Sequence, residues 1–122
     1  MITPIDEATS RTLATIARFN AAFNRHDVDG VMAAMTDDCV FESTGPAPDG
    51  EQRRGAAAVR EVWEQFFRAN PLARFEVEEQ FAAGDRGVVR WRYDWGSGHV
   101  RGIDIVRVRD DLVAEKLCYV KG

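Results

Sequence analysis

Apolar positions along this chain recur at two periods, and the change from one to the other divides it. In the first half the spacing is helical: Leu13, Ile16, Phe19 and Phe23 fall three and four apart. This predicts a long amphipathic first helix opening at Thr3-Pro4 or at Asp6. Asp27 is a favourable N-cap for a short second helix that carries Val31, Met32 and Met35 on one side and ends near Thr36. "CVFES" then reads as a strand, and "TGPAPDGEQRR" as a polar loop without regular structure, a mobile rim. Gly55 opens a third helix in which Val59, Val62, Trp63, Phe66 and Phe67 repeat at i, i+3, i+4, i+7 and i+8, until Asn70-Pro71 stops it.

From Ala73 onward the period is two. Phe75, Val77 and Phe81 alternate with Glu76, Glu78 and Gln80, and Val89, Trp91 and Tyr93 alternate with Arg90, Arg92 and Asp94. Turns at Gly84-Asp85, Gly96-Ser97-Gly98 and Asp110-Asp111 separate four such strands. Helices followed by an antiparallel meander predict an α+β domain, with the helices segregated to one face of a curved sheet. At 122 residues the chain is expected to be one domain, 1–122, long enough to close a core around a small cavity.

Composition narrows the partners. A formal charge of -4 argues against nucleic acid, because phosphate binding needs concentrated positive charge. Arginines are dense from Arg86 to Arg109, but acids interrupt them and strand alternation splits them between two faces, as on a solvated or dimer-facing surface. Their abundance suggests a GC-rich bacterial source. Cys39 and Cys118 lie in apolar strand-like runs without CxxC spacing, which reads as two small buried thiols in a reducing compartment. The first ten residues lack a basic segment followed by an apolar core, and no run approaches membrane-spanning length; a cytoplasmic location without a membrane partner is expected.

The common cofactor and catalytic motifs are absent: no GxGxxG after a strand, no GxxxxGK[ST], no HExxH and no GxSxG, so no cofactor is expected. "GSGHVRG" sits between two strands and reads as a hairpin turn. His26 and His99 have no Cys, His or carboxylate at metal-ligand spacing; both read as surface residues, and no metal site is expected. Ser43 and Thr44 have no base identifiable by spacing.

One acid breaks the strand pattern. In "RGIDIVRV" a clean alternation puts Gly102, Asp104, Val106 and Val108 on one face and Ile103, Ile105, Arg107 and Arg109 on the other. The first set is the more apolar, and a carboxylate on an interior face is unfavourable unless it is paired, hydrogen-bonded or protonated. Asp104 is therefore a candidate site residue. The alternative buries Ile103 and Ile105 and leaves Asp104 pairing with an arginine at the surface. The next strand decides what Asp104 meets. A two-residue turn at Asp110-Asp111 sets Leu117 opposite it; a three-residue turn, Asp110 to Leu112, sets Cys118 opposite with Lys116 diagonal. The second register is preferred because it offers a buried acid a cation where the first offers Glu115.

The chain resembles the nuclear transport factor 2-like superfamily, and within it the SnoaL-like and ketosteroid-isomerase-like branch. "IARFNAAFNRHDVDGVMAAMTDDCVFEST", "RRGAAAVREVWEQF" and "GIDIVRVRDDLVAEKLCYV" carry the resemblance, which covers nearly the whole chain. It implies a cone-shaped, cystatin-like α+β barrel in which three N-terminal helices cap a strongly curved, mainly antiparallel sheet around a deep apolar pocket. It also implies a homodimer through the sheet's outer face, and the register that places Lys116 and Cys118 on the pocket side beside Asp104.

Within this resemblance Asp104 falls where ketosteroid isomerases keep a protonated aspartic acid in their oxyanion hole. Their general-base aspartate falls at Ser43, which cannot shuttle a proton at neutral pH. Their oxyanion-hole tyrosine falls at Phe19 and its two supporting tyrosines at Met35 and Trp63, so steroid isomerisation by the family mechanism is not expected. The last-strand aspartate of the related epoxide hydrolases and SnoaL-type cyclases falls at Cys118. "RYD", Arg92 to Asp94, copies the hydrolase Arg-x-Asp spacing but lies opposite the face of Trp91 and Tyr93, and is read as surface.

Two functions follow. One is an enzyme that enolises, cyclises or isomerises an apolar carbonyl compound such as a polyketide or terpenoid, with Asp104 as acid or base and Lys116 as its cation. Phe19, Met35, Phe41, Ser43, Trp63, Trp91, Tyr93 and Cys118 would line the ligand site. The other is a non-catalytic homodimeric module that binds a hydrophobic metabolite.

Overall fold

The computed structural model describes residues 6–122, so a helix start at Thr3-Pro4 lies outside the described residues. Helix α1, Glu7–Asn24, is capped by Asp6, whose carboxylate accepts the Thr9 N–H at 2.8 Å and so satisfies one of the donors a helix start leaves open. Its inward stripe includes Ile16, Phe19, Ala22 and Phe23, but also Thr9 and Thr12. The threonines are not misplaced. Gly84 N–H donates to Thr9 Oγ1 at 2.9 Å and Thr12 Oγ1 donates to Gly84 O at 2.6 Å, which latches the helix to a strand turn.

Helix α2, Val28–Ala33, is capped by Asp27, which accepts the Gly30 N–H at 3.0 Å. It is shorter than its spacing suggests, because Met35 and Thr36 already belong to strand β1, Met35–Glu42. The reason is tertiary: β1 pairs in parallel with the last strand from Met35↔Val113 onward, and Val113 N–H donates to Ala34 O at 2.7 Å. The loop expected to lack regular structure also gives up three residues. Gln52–Arg54 form strand β2, paired antiparallel with β1, its charged side chains suited to an exposed sheet edge. Helix α3, Ala56–Ala69, follows and buries Val59, Trp63 and Phe67.

The meander is β3, Arg74–Ala83; β4, Arg86–Asp94; β5, His99–Arg109; and β6, Leu112–Val120. The sheet runs β2-β1-β6-β5-β4-β3, antiparallel except for β1 with β6. It curves under the helices but does not close, since β2 and β3 are its two unpaired edges. At Gly87 an added Cβ would lie 2.4 Å from Ile16 Cδ1, so a larger residue there would require the end of the Ile16 side chain to move.

Two irregularities set which side chains face inward. A register shift between Val77 and Glu79 reverses the parity of β3, so Phe81 stands opposite Val88 on the outer face and is 56% exposed. Simple alternation had placed Phe81 with Phe75 and Val77. In the last hairpin the turn has two residues, Asp110 and Asp111, both with positive φ, rather than three. A bulge then restores the register: Val108 faces Val113 but Arg107 faces Glu115, leaving Ala114 as the extra residue. Cys118 therefore lies opposite Asp104, as the preferred register required, through a different device.

Candidate functional site

Strand β5 turns Gly102, Asp104, Val106 and Val108 inward, all buried, while Ile103 and Ile105 are half-buried on the outer face. Asp104 is 5% exposed and Lys116, on β6, is 6% exposed. Lys116 Nζ lies 3.6 Å from Asp104 Oδ2, an ion pair taken almost wholly out of water. The ammonium is also caged by rings: its Nζ is 5.2 Å from the centroid of Phe19, 4.7 Å from Phe23, 5.6 Å from Phe41 and 5.0 Å from Trp63. Each desolvated cation–π contact contributes about 1–2 kcal/mol, so the rings offset part of the cost of burying the charge. Burial, the largest single influence, works against the ammonium, but the charge and hydrogen bond of Asp104 together with the charge of Cys118 outweigh it, and the Lys116 pKa lies above its ordinary value.

The pair borders a cavity of about 270 Å³ between α1, α3 and the sheet. Its wall includes Phe41, Ser43, Trp63, Trp91, Tyr93 and Cys118 of the residues expected there. Phe19 and Met35 do not line it. Phe19 stands behind Lys116 in the core, and Met35 opens β1 at the end away from the cavity, 4% exposed. The cavity also uses Phe23, Phe66, Phe75, Thr44, Val100 and Val120, which sequence reasoning left out of the site. The three phenylalanines lay on apolar faces already recognised; their closeness to Asp104 could be read only from the packing of α1 and α3 onto β3.

The polar groups divide sharply. Ser43 is occupied by its own loop, its Oγ 2.7 Å from Gly45 O and accepting the Glu51 N–H at 3.1 Å. Burial pushes the Cys118 thiol well above its ordinary pKa, and raises the Tyr93 phenol. By contrast Asp104 Oδ1 and the indole N–H groups of Trp63 and Trp91 are buried with no hydrogen-bond partner. Such groups are few in native interiors and mark places where something polar fits. The side chains that line the cavity thus carry one carboxylate oxygen and two indole N–H groups without a partner among the described residues, together with the Lys116 ammonium and the hydroxyls of Ser43, Thr44 and Tyr93. Gly102 makes room for this arrangement, since a Cβ there would lie 2.6 Å from the Trp91 ring and 2.3 Å from Tyr119 O.

Other sequence candidates lie elsewhere. Arg92 and Asp94 project from the opposite side of β4 to Trp91 and Tyr93, 3.5 Å apart and partly exposed. His99 is exposed, but His26 is more than a surface residue: its ring stacks on Phe67 at 4.5 Å and its Nε2 lies 2.9 Å from Ala73 O. Both cysteines are free, Cys39 fully buried. Among the described residues no group of three or more His, Cys, Asp or Glu could hold a metal ion, and no helix is long and apolar enough to cross a membrane.

Residues 16–116 match the family model of the SnoaL-like domain. A nuclear transport factor 2-like protein of unknown function from Mesorhizobium loti is 39% identical, with a TM-score of 0.86 over 98% of each chain. More distant structures share the fold. A candidate ketosteroid isomerase from Kribbella flavida is 17% identical, with a TM-score of 0.81 over 93% of this chain and 80% of that one. A candidate polyketide cyclase from Sinorhizobium meliloti is 19% identical, with a TM-score of 0.75 over 86% of this chain and 93% of that one. No curated protein matches the chain in sequence.

Proposed function

Because the chain belongs to the SnoaL-like domain family, we propose that its cavity binds a small apolar carbonyl compound and enolises it, the step common to isomerisation and cyclisation. The observation that carries this reading is the buried Asp104–Lys116 pair, with Oδ1 unpartnered, on the wall of an aromatic cavity that the protein's own side chains do not fill. In this mechanism Asp104 takes the α-proton on Oδ1. The C–H electron pair passes to the carbonyl oxygen, and the Lys116 ammonium stabilises the enolate. Oriented donors of this kind contribute about 10²–10³ in rate where water is excluded. Asp104 then returns the proton to the same carbon or another. One group serves as both base and acid, because Ser43 and Cys118 hold no carboxylate.

A second reading, passive binding of a hydrophobic metabolite, is favoured by the same ion pair, since Asp104 Oδ2 is already committed to Lys116. Proton exchange at the α-carbon of 2-tetralone in D2O, followed by NMR, separates the two. The enzyme reading expects exchange well above the buffer rate and its loss in a folded D104N variant. Saturable binding of the ketone without exchange overturns that reading and leaves the passive one. The pairing makes D104N alone a demanding variant, because it strands a buried ammonium; the D104N/K116M double variant, where both charges are gone, covers the case in which D104N does not fold.

The outer sheet face supports a homodimer. Phe81, Val88, Ile105 and Leu117 form one apolar row across four strands, beside a row that runs Glu79, Arg90, Ile103 and Tyr119.

A further inference from the structure

Asp104 borders two spaces, not one. Besides the main cavity there is a crevice of about 20 Å³ on the seam between α1 and β3, reached past Asn20, Asn24 and Val77. Phe23, Phe75, Trp91, Asp104 and Lys116 line both and form the partition between them. Space of this size holds about one water, which is retained only where it finds two or more polar partners. The crevice supplies a matched pair: Asn20 Nδ2 is a buried donor without a partner, and Asp104 Oδ1 a buried acceptor without one. A water bonded to both would accept from the amide and donate to the carboxylate.

The seam itself is held from outside the crevice. On one side of Asn20, Thr9 and Thr12 bond Gly84. On the other, Asn24 donates to Phe75 O at 2.8 Å and accepts the Phe75 N–H at 3.0 Å. These bonds set the spacing of α1 over β3 and leave the amide of Asn20 uncommitted between them.

We propose that Asn20 is a positioning residue that holds a water against Asp104, making this crevice the solvent's route to the acid, separate from the ligand's. The inference rests on Asp104 being the acid/base of the reading above. When Asp104 takes an α-proton, the C–H bond breaks, its electron pair stays on the ketone as enolate, and an O–H bond forms at Oδ1. The crevice water then accepts that proton while one of its own passes to Oδ1 in return. One proton is exchanged for another with no change of charge, even while the ligand fills the main cavity.

Conversion of cyclohex-3-enone to cyclohex-2-enone in D2O tests this. Turnover reports proton transfer by Asp104, and deuterium at the new C4 methylene reports exchange of the acid's proton before its return. The wild-type product is expected to carry solvent deuterium. In N20L the label per molecule converted is expected to fall by more than half, a ratio that a merely structural loss of rate does not move, and N20S, which keeps a hydroxyl to hold the water, restores it. An N20L product labelled as heavily as the wild type overturns the proposal. So does a high-resolution crystal structure with no water bonded to both Asn20 Nδ2 and Asp104 Oδ1, a result that does not depend on turnover. A folded D104N variant that still converts the ketone removes Asp104 as acid/base and this role of Asn20 with it. Unchanged labelling in N20L with D104N inactive removes the role of Asn20 alone.

Discussion

The Asp104–Lys116 pair concentrates the energetics of the site in two side chains. Removing one partner of a buried pair strands the other, at a cost of about 3–5 kcal/mol, whereas removing both can cost much less. K116M is therefore expected to lose stability on that scale in urea denaturation, and D104N/K116M to regain a large part of it. The pH dependence follows from the raised Lys116 pKa. A group whose pKa is higher folded than unfolded contributes stability that is full below its unfolded value and is lost as pH rises through its folded value. Wild-type stability should thus fall above the ordinary lysine value of 10.5 by an increment that K116M lacks, measured as the difference between their unfolding curves. Burial raises the pKa of both thiols, Cys118 strongly. Since the thiolate is the reactive form, neither cysteine of the folded protein should react appreciably with iodoacetamide at neutral pH, and both should react in urea; mass spectrometry reads the adducts.

At the scale of elements, the last hairpin shows how a turn and a bulge together aim one lysine. Asp110 and Asp111 adopt φ of 54° and 61°, the left-handed values a two-residue hairpin turn needs and a non-glycine residue adopts reluctantly. Asp111 earns its place by holding Arg11 through Oδ1 at 3.1 Å, while the Asp110 side chain makes no hydrogen bond among the described residues. D110G should therefore relieve that strain, offset in part by the greater unfolded-chain entropy of glycine, and give a higher midpoint of thermal unfolding. The bulge is the sensitive part. Inserting one residue after Ala114 would shift the rest of β6 by one position along β5, setting Leu117 opposite Asp104 and turning Lys116 outward. Such a variant should lose binding of 2-tetralone entirely, whether or not it stays folded; retained affinity, read by isothermal titration, would show that the site does not need Lys116 inside.

For the molecule as a whole, the outer face carries the remaining prediction. Phe81 is 56% exposed and Tyr119 50% exposed on a face otherwise dressed with ion pairs such as Arg101–Glu78 at 3.0 Å. Stable interfaces bury about 800 Å² per partner. Sedimentation velocity at micromolar concentration should give a dimer, and F81E a monomer with an unchanged helical signal; a wild-type monomer would sink the homodimer. The sequence alone determined the helices and the four meander strands, because each is written in local periodicity, and it favoured the inward face of Asp104 without deciding it. Ile16 and Phe23 on α1, or Val106 and Val108 beside Asp104, needed no partner to be recognised. Tertiary structure alone decided the rest. Met35 became a strand residue because β6 was there to pair with it, Gln52–Arg54 became β2 for the same reason, and Phe81 turned outward at a bulge. The site was legible as Asp104 and Lys116, yet the ring cage, the contribution of Phe23, Phe66 and Phe75, and the free amide of Asn20 were not. Periodicity reports which face of an element is buried; which elements that face meets depends on contacts distant in sequence, and these form only when the chain is folded.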